Sequence, residues 1–303
     1  MPDAPLLDRA FLEKLERLTI QWQRSFAGLV GGHNASRFAG GGQEFLDHRN
    51  FHHGDDLRAV NWRAYLRLDK LFLKMFQIEP RVPVQILIDV SKSMAVEERT
   101  LHTRAKFDYA RRLAGALAYV GLVRLDTLAI MPFSSRLGEG KRVGGGRHRF
   151  SPVMDYLTAL EPAGVTDFHE VVREFMRAQP QRGLLVILSD FLDDRPGDRG
   201  CERALQYLAD FGHELCLVQI WNEEDRTPPW TGELELTDAE TGQQLRTALD
   251  AQTRIAYTRA FDDYSASLQQ LALRNGGRFL SVPTSKDLEE VLFTDLVRAR
   301  GVA

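Results

Sequence analysis

The stretch that decides the fold is Val84-Gln-Ile-Leu-Ile-Asp89-Val-Ser91-Lys-Ser93-Met94. It begins as a run of aliphatic residues, which is typical of a strand that is buried on both faces of a parallel sheet. It then changes to Asp89, Ser91 and Ser93, whose alternate positions place them on one side of an extended segment. A carboxylate and two hydroxyl groups are therefore predicted just beyond the carboxyl end of a central strand. That edge is where open α/β sheets bind ligands.

The same residues also fit a simpler role at the start of the next helix. Asp and Ser are among the residues found most often at helix N-caps, and apolar residues at helical spacing predict a helix over residues 103–123. A lone Asp-x-Ser pattern favours the capping role. A binding site is predicted only if residues from other loops complete it.

The chain after residue 83 alternates between strand patterns and helix patterns. Further apolar strands are predicted at 126–133, 184–190, 214–221 and 277–282, and helices at 150–160, 167–177, 201–211, 251–274 and 287–300. This alternation predicts an α/β fold with a doubly wound, mostly parallel sheet. Two hairpins are expected within it, one at 135–146 and an inserted one near 222–250 that turns at Thr241-Gly242.

The N-terminal part of the chain has a different pattern. An amphipathic helix is predicted at 8–28, followed by a glycine-rich loop and by a small β-rich module. We therefore expect residues 1–80 to form an N-terminal helix plus this module, and residues 81–303 to form the α/β domain. Trp62 and Tyr65 are expected to anchor the module to a core.

This module also contains three histidines near two carboxylates: His48, His52, His53, Asp55 and Asp56. Such residue types bind zinc or iron, but the spacing is not His-Glu-x-x-His and no further candidate ligand is close in sequence. The alternative is a turn whose carboxylates bind Arg58 or Arg63 through charge-assisted hydrogen bonds. The pattern favours the turn.

Composition and charge argue against several classes of function. The 303 residues carry a formal net charge of −3, which gives no general attraction for nucleic acid or anionic lipid. Cys201 and Cys216 form no disulfide framework and lack Cys-x-x-Cys spacing, which indicates a reducing compartment. No apolar run approaches the roughly 18 residues that a membrane span needs, and the N-terminus lacks the pattern of a secretory signal. We therefore expect a cytoplasmic protein.

Two later breaks match the one at Asp89. Gly164-Val-Thr166-Asp167 ends a loop before a helix, and Ser189-Asp190 ends an apolar strand. In a doubly wound sheet, both breaks lie on the same carboxyl edge as Asp89. The combined set contains only oxygen ligands, which suit Mg²⁺ or Mn²⁺: Asp89, Ser91, Ser93, Thr166 and Asp190. Asp167 is an alternative loop ligand, or the first-turn acid of the next helix.

With these residues, the sequence resembles two known groups of proteins. Asp89-x-Ser91-x-Ser93, followed by Thr166 and Asp190, resembles the metal-ion-dependent adhesion site of von Willebrand factor A domains. The upstream block resembles the signature of the "domain of unknown function 58" family: Glu44-Phe-Leu-Asp-His-Arg49 through Gly54-Asp-Asp-Leu-Arg58 to Asn61-Trp62. One departure is Asn61, where the family pattern leads us to expect an acidic residue.

The resemblance implies a von Willebrand factor A-like fold that coordinates Mg²⁺ or Mn²⁺, directly or through water, with the five residues Asp89, Ser91, Ser93, Thr166 and Asp190. It also implies partners, since members of the family are typically associated with MoxR-type AAA+ ATPases and the adhesion site binds an acidic side chain of a protein ligand. The function expected from the resemblance is a non-enzymatic, metal-dependent protein-binding adaptor in protein remodelling or complex maturation.

A metal-dependent phosphohydrolase using Asp89 is the alternative. An Asp after a buried strand is also where aspartyl-phosphate enzymes place their nucleophile. Those enzymes usually need a second carboxylate two residues later, and that position is Ser91. A lysine in a suitable later position is not evident in the sequence, and no Gly-x-Ser-x-Gly motif supports a serine nucleophile.

Overall fold

The protein is described here by a computed structural model, in which the described residues are 6–8, 10–15, 37–39, 44–52, 55, 60–77, 83–96, 106–123, 127–179, 181–193 and 200–296. The chain divides into two compact units. One consists of Met1–Thr19 and Val82–Ala303, and the other of Ile20–Arg81. Each unit has a sheet of its own.

The N-terminal helix belongs to the larger unit. Residues 10–15 are helical (α1), and Leu15 within them is fully buried. Lys14 Nζ lies 2.6 Å from Glu289 Oε1, near the other end of the chain. The helix therefore groups with the α/β domain, whereas the sequence interpretation counts it together with the β-rich module in residues 1–80. Residues 16–28 of the predicted helix lie outside the described residues.

The smaller unit contains an antiparallel sheet among its described residues. Its strands are β1 (Arg37–Ala39), β2 (Glu44–Asn50) and β3 (Phe72–Gln77), in the order β1-β3-β2. Helix α2 (Trp62–Leu68) precedes β3. The Ala64 N–H donates a hydrogen bond to the Asn61 side chain at 3.3 Å. Asn61, which departs from the expected acidic residue, therefore acts as the N-cap of α2.

The aromatic residues of α2 do not serve as anchors. Trp62 is 54% exposed and Tyr65 is 37% exposed, so the expectation that they anchor the module to a core is wrong. Val60 and Leu73 are buried instead, and they pair across an isolated bridge.

The turn predicted beside the histidines is partly described. The His52 N–H donates to the Asp55 carboxylate at 2.8 Å, which is the kind of hydrogen bond that an Asp in a turn makes. His53, Asp56, Arg58 and the side chain of His48 lie outside the described residues.

The larger unit is built on a six-stranded sheet. Its strands are β4 (Val84–Asp89), β5 (Leu128–Phe133), β6 (Lys141–Val143), β7 (Leu184–Ser189), β8 (Glu214–Trp221) and β11 (Arg278–Pro283). Their order is β11-β8-β7-β4-β5-β6, and all neighbours are parallel except the edge strand β6, which is antiparallel to β5. The α/β class with a mostly parallel sheet is confirmed, and β4 lies between β7 and β5 as a central strand.

Helices cover both faces of this sheet. They are α3 (Lys106–Val123), α4 (Phe150–Thr158), α5 (Phe168–Ala178), α6 (Cys201–Phe211), α7 (Glu223–Arg226), α8 (Ala251–Arg274) and α9 (Leu288–Glu290). Helices α3 and α4 pack on one face, and α5, α6 and α8 pack on the other. Coverage on both faces explains why the strands are apolar without alternation. Among the described residues, none of the helices combines the length and apolar composition needed to cross a bilayer.

Two elements differ from simple strand–helix alternation. In the predicted hairpin at 135–146, only β6 is a strand, and it forms the return of β5 at the sheet edge. Between β8 and α8, strands β9 (Gly232–Thr237) and β10 (Gln244–Leu249) form a separate antiparallel hairpin. This β9–β10 hairpin lies within the predicted insertion and includes the predicted turn at Thr241-Gly242.

Candidate functional site

Asp89 ends the central strand β4 and is completely buried. Its Oδ1 accepts the N–H of Ser91 at 2.9 Å, and its Oδ2 accepts the hydroxyl of Ser189, the last residue of β7, at 2.6 Å. The hydroxyl oxygens of Ser91 and Ser93 lie 3.0 Å apart. Ser91 precedes a short 3₁₀ helix, Lys92–Ala95, but its side chain makes no capping hydrogen bond. The carboxylate and the two hydroxyls thus form one cluster rather than a helix cap.

The loop before α5 brings Thr166 to the same edge. The Ala163 N–H donates to the Val90 carbonyl at 2.6 Å, and the Lys92 N–H donates to the Gly164 carbonyl at 3.1 Å. Gly164 has a φ of 89°, a left-handed conformation that favours glycine. These hydrogen bonds join the loop to the segment that carries Ser91, and Thr166 is 2% exposed there.

Asp167 is the N-cap of α5. Its side chain accepts the N–H of Glu170 at 2.9 Å. Of the two roles left open for Asp167 by the sequence, the structure therefore supports the helix-terminal one. Thr166 directly precedes the cap.

Asp190 follows β7 at the same edge and is buried. The next residue, Phe191, has a φ of 59°, which is unusual for a bulky side chain. Its ring is fully buried and stacks on Phe168 with the ring centroids 5.6 Å apart, while the Tyr264 hydroxyl donates to its carbonyl at 2.5 Å. Packing and this hydrogen bond hold the unusual backbone conformation directly after Asp190.

The sequence interpretation misses Lys106, which begins α3 and is 2% exposed. Its Nζ lies 2.7 Å from Asp190 Oδ2 and 3.2 Å from Asp225 Oδ2. Burial alone lowers the pKa of Lys106, but the two carboxylates outweigh burial and keep the pKa above its usual value. Asp190 therefore has a counter-ion within the chain. The available signal was a lysine on the apolar side of a predicted helix, one turn before Tyr109 and Ala110.

Asp89 has no comparable partner. In the part of the chain that the structure describes, no basic side chain forms an ion pair with it. Burial and the nearby Asp190 carboxylate raise the pKa of Asp89 to about 7, while the hydrogen bonds from Ser189 and Ser91 act in the opposite direction. The charged form of Asp89 is therefore a buried carboxylate that lacks a cation.

The donor set fits a hard divalent cation. Neighbouring oxygen ligands of an octahedral Mg²⁺ lie about 2.8 to 3.0 Å apart, given bonds of about 2.0–2.1 Å, and the hydroxyl oxygens of Ser91 and Ser93 have this spacing. Among the described residues, no group of three or more His, Cys, Asp or Glu side chains is arranged to hold a metal. A cation at this edge therefore depends on hydroxyl oxygens as well as carboxylates. The ligand roles of Asp89, Ser91, Ser93, Thr166 and Asp190 stay a prediction.

Glu240 is a second residue that the sequence interpretation misses. It lies at the tip of the β9–β10 hairpin, and both its carboxylate oxygens contact Thr166. The Thr166 N–H donates to Oε2 at 2.9 Å, and the Thr166 hydroxyl donates to Oε1 at 2.9 Å. No local pattern marks this contact, because it joins residues 74 positions apart.

Comparison with known proteins gives a family match and several relatives. Residues 47–267 match the family described as "Protein of unknown function DUF58". An uncharacterized protein of Mycobacterium tuberculosis is 24% identical over 295 residues, covering 95% of this chain and 89% of that protein. An uncharacterized protein of Mycobacterium avium is 29% identical over 145 residues, covering 47% of this chain and 83% of that protein.

Solved structures show a more distant likeness. The conserved hypothetical protein BatB from Bacteroides thetaiotaomicron has a TM-score of 0.43 and 15% identity, covering 73% of this chain and 100% of that one. A von Willebrand factor type A protein from Catenulispora acidiphila has a TM-score of 0.41 and 13% identity, covering 76% of this chain and 44% of that one.

Lys106→Met is expected to lower the free energy of unfolding by about 3 to 5 kcal/mol, because it leaves Asp190 buried without its counter-ion. Lys14→Met is the matched control. It removes an ion pair with Glu289 that is exposed on both sides, so we expect a change within about 1 kcal/mol. Urea denaturation in EDTA measures both values, and equal losses would contradict the counter-ion role of Lys106.

Proposed function

Because the chain belongs to the DUF58 family, and all five predicted ligands lie within the matched residues, we propose that it is a non-enzymatic, cation-dependent protein-binding adaptor. The observation that carries the proposal is the state of Asp89. Its carboxylate is buried at the sheet edge beside the Ser91 and Ser93 hydroxyls, and no basic side chain in the described part of the chain pairs with it. A divalent cation would supply the missing positive charge.

In this proposal the cation is Mg²⁺ or Mn²⁺, held by Asp89, Ser91, Ser93, Thr166 and Asp190. When bound, it offers an electrophilic centre to a carboxylate. Asp190 already shares its charge with Lys106, so the site neutralises a divalent cation incompletely. The remaining positive charge favours an acidic side chain of a protein ligand over a neutral one.

The second partner in the proposal is a MoxR-type AAA+ ATPase. Its support is the association that is typical of the family. The ATPase would remodel or deliver the protein that is bound at the cation site, in the cytoplasm, as part of protein remodelling or complex maturation.

Mn²⁺ is expected to raise the melting temperature of the wild-type protein and not that of Asp89→Asn. At a free concentration of 100 times the Kd, linkage adds about 2.7 kcal/mol to the free energy of unfolding, which raises the Tm of a domain of this size by about 5 to 10 °C. Asp263→Asn is the matched control, because it removes a carboxylate that is 75% exposed and 3.9 Å from its partner Arg259. Equal Tm values with and without Mn²⁺ in the wild type would refute the cation site.

Affinity capture from the native host, in buffer with Mg²⁺ and ATP, tests the partners. Wild-type bait is expected to recover a AAA+ ATPase of the MoxR type together with a protein ligand. Asp89→Asn bait is expected to lose the protein ligand, and Asp263→Asn bait to retain it. Mass spectrometry identifies the captured proteins, and the absence of any AAA+ ATPase from the wild-type capture would contradict the proposed partnership.

The alternative function, a metal-dependent phosphohydrolase, gains one feature from the structure. Lys106 places a lysine beside Asp190, although the sequence interpretation finds none. One feature still favours binding over catalysis. Ser91 occupies the position of the usual second carboxylate, and its hydroxyl contacts Ser93.

No turnover of p-nitrophenyl phosphate is expected in 5–10 mM Mg²⁺, a concentration roughly at the weak end of the affinities known for oxygen-ligand cation sites. Release of p-nitrophenolate is followed by absorbance for the wild type, Asp89→Asn and Asp263→Asn. Turnover by the wild type and Asp263→Asn that disappears in Asp89→Asn would establish the phosphohydrolase instead of the adaptor.

A further inference from the structure

The β9–β10 hairpin contacts the candidate site through Glu240. Residues 235–239 and 241–246 are all exposed, whereas Glu240 between them is half-buried. The hairpin thus projects into solvent over most of its length, and Glu240 is the point at which its tip contacts the edge of the sheet.

The turn of this hairpin holds Glu240 in position. The Asp238 carboxylate accepts the N–H groups of Glu240 at 2.8 Å and Thr241 at 2.6 Å, and the Gly242 N–H donates to the Asp238 carbonyl at 2.9 Å. The hydrogen bond from the Thr241 N–H is the main reason that the pKa of Asp238 lies below its usual value. Because these hydrogen bonds fix the backbone at Glu240, little backbone entropy is lost when its side chain binds.

The contact of Glu240 with Thr166 is a hydrogen bond whose length also suits two neighbouring ligands of one cation. Glu240 Oε1 and the Thr166 hydroxyl oxygen lie 2.9 Å apart, within the roughly 2.8 to 3.0 Å between neighbouring oxygens around an octahedral Mg²⁺. The other carboxylate oxygen accepts the Thr166 N–H. Glu240 therefore places a carboxylate at hydrogen-bonding distance from Thr166, which is one of the predicted ligands.

We propose that Glu240 is an intramolecular ligand of the cation site, and that it occupies the place which the acidic side chain of a protein partner takes. This inference rests on the proposed function. With the hairpin docked, Asp89, Ser91, Thr166 and Asp190 are each at most 2% exposed, while Ser93 is half-buried. Glu240 takes up both the N–H and the hydroxyl of Thr166, so a partner's carboxylate would compete with Glu240 at Thr166.

The hairpin also sets a requirement for the partner. A group tethered near its site acts at an effective concentration in roughly the millimolar range or above. A small free carboxylic acid at a concentration below this effective concentration does not displace Glu240. The partner of this site is therefore a protein that presents an acidic side chain together with further contacts, rather than a small carboxylic acid.

Mn²⁺ titration of the full chain tests the inference by isothermal calorimetry. Glu240→Ala is expected to bind Mn²⁺ at least about tenfold more weakly than the wild type, the usual minimum loss when a group supporting a metal site is removed. Acetate at about 50 mM, on the order of the effective concentration of a tethered group, is expected to restore part of that affinity in Glu240→Ala. It is expected to have little effect on the wild type, where Glu240 already supplies the carboxylate. Glu233→Ala, an exposed glutamate of the same hairpin, is expected to match the wild type.

The outcomes separate this inference from the function on which it rests. If the wild type binds Mn²⁺ and Glu240→Ala binds it equally well, with the same response to acetate, the role of Glu240 is overturned and the cation site stands. If neither the wild type nor Asp89→Asn binds Mn²⁺, the cation site is overturned, and the ligand role of Glu240 with it.

Hydrogen exchange of the Thr166 amide, measured by NMR in EDTA, tests the docked hairpin without any metal. The amide is expected to exchange at least about tenfold faster in Glu240→Ala than in the wild type, because its hydrogen bond to Oε2 is lost. Glu233→Ala is expected to leave the rate unchanged. Equal rates in the wild type and Glu240→Ala would overturn the docked position of Glu240, whatever the titration shows.

Discussion

The structure of the larger unit depends on how two buried carboxylates, at the ends of neighbouring parallel strands, are hydrogen-bonded or paired with an opposite charge. Asp89 ends β4 and Asp190 follows β7, and these strands pair directly. Both side chains are buried, and burying two like charges is unfavourable unless each is hydrogen-bonded or paired with an opposite charge. The hydroxyl of Ser189 and the ammonium of Lys106 meet this requirement in different ways. At the sheet edge, Asp190 therefore has a positively charged partner and Asp89 has a neutral one.

The two buried carboxylates are stabilised in different ways, Asp190 by a positive charge and Asp89 by hydrogen bonds. The first contributes to the stability of the fold, and the second leaves a negative charge for the proposed cation. Lys106 neutralises Asp190 with a covalently attached cation, so this half of the site is independent of metal. Within the described residues, Asp89 receives hydrogen bonds from Ser91 and Ser189 and forms no ion pair. If lysines paired with both carboxylates, their negative charge would be compensated and the electrostatic attraction for a divalent cation would be weak. In the proposed adaptor, Asp89 is therefore the buried carboxylate that would attract the cation.

Much of the fold was predictable because buried parallel strands are apolar runs with clear ends. The helix at Cys201–Phe211 was predicted with its observed bounds, and the structure shows that it ends at Gly212 in a left-handed conformation. Asp89 and Asp190 could be placed at the sheet edge from the sequence because each stands at the end of an apolar strand, whereas Thr166 lies in the loop before α5. Lys106 and Glu240 were not predictable, because their partners lie 84 and 74 positions away and only tertiary packing brings them together. Trp62 was mispredicted because an aromatic residue in a sequence does not reveal whether its face is covered.

Phe191 links the aromatic core to the sheet edge, and this has a consequence for how the protein tolerates substitution. Its backbone has a φ of 59° directly after Asp190, while its ring stacks on Phe168 in the core. A glycine at this position would relax the backbone but remove the stacking on Phe168. Truncating a buried Phe costs about 3 to 5 kcal/mol, whereas relieving such a backbone strain gains about 1 to 3 kcal/mol, so a glycine there would lower the overall stability. Residue 191 is therefore expected to stay aromatic in spite of its backbone conformation.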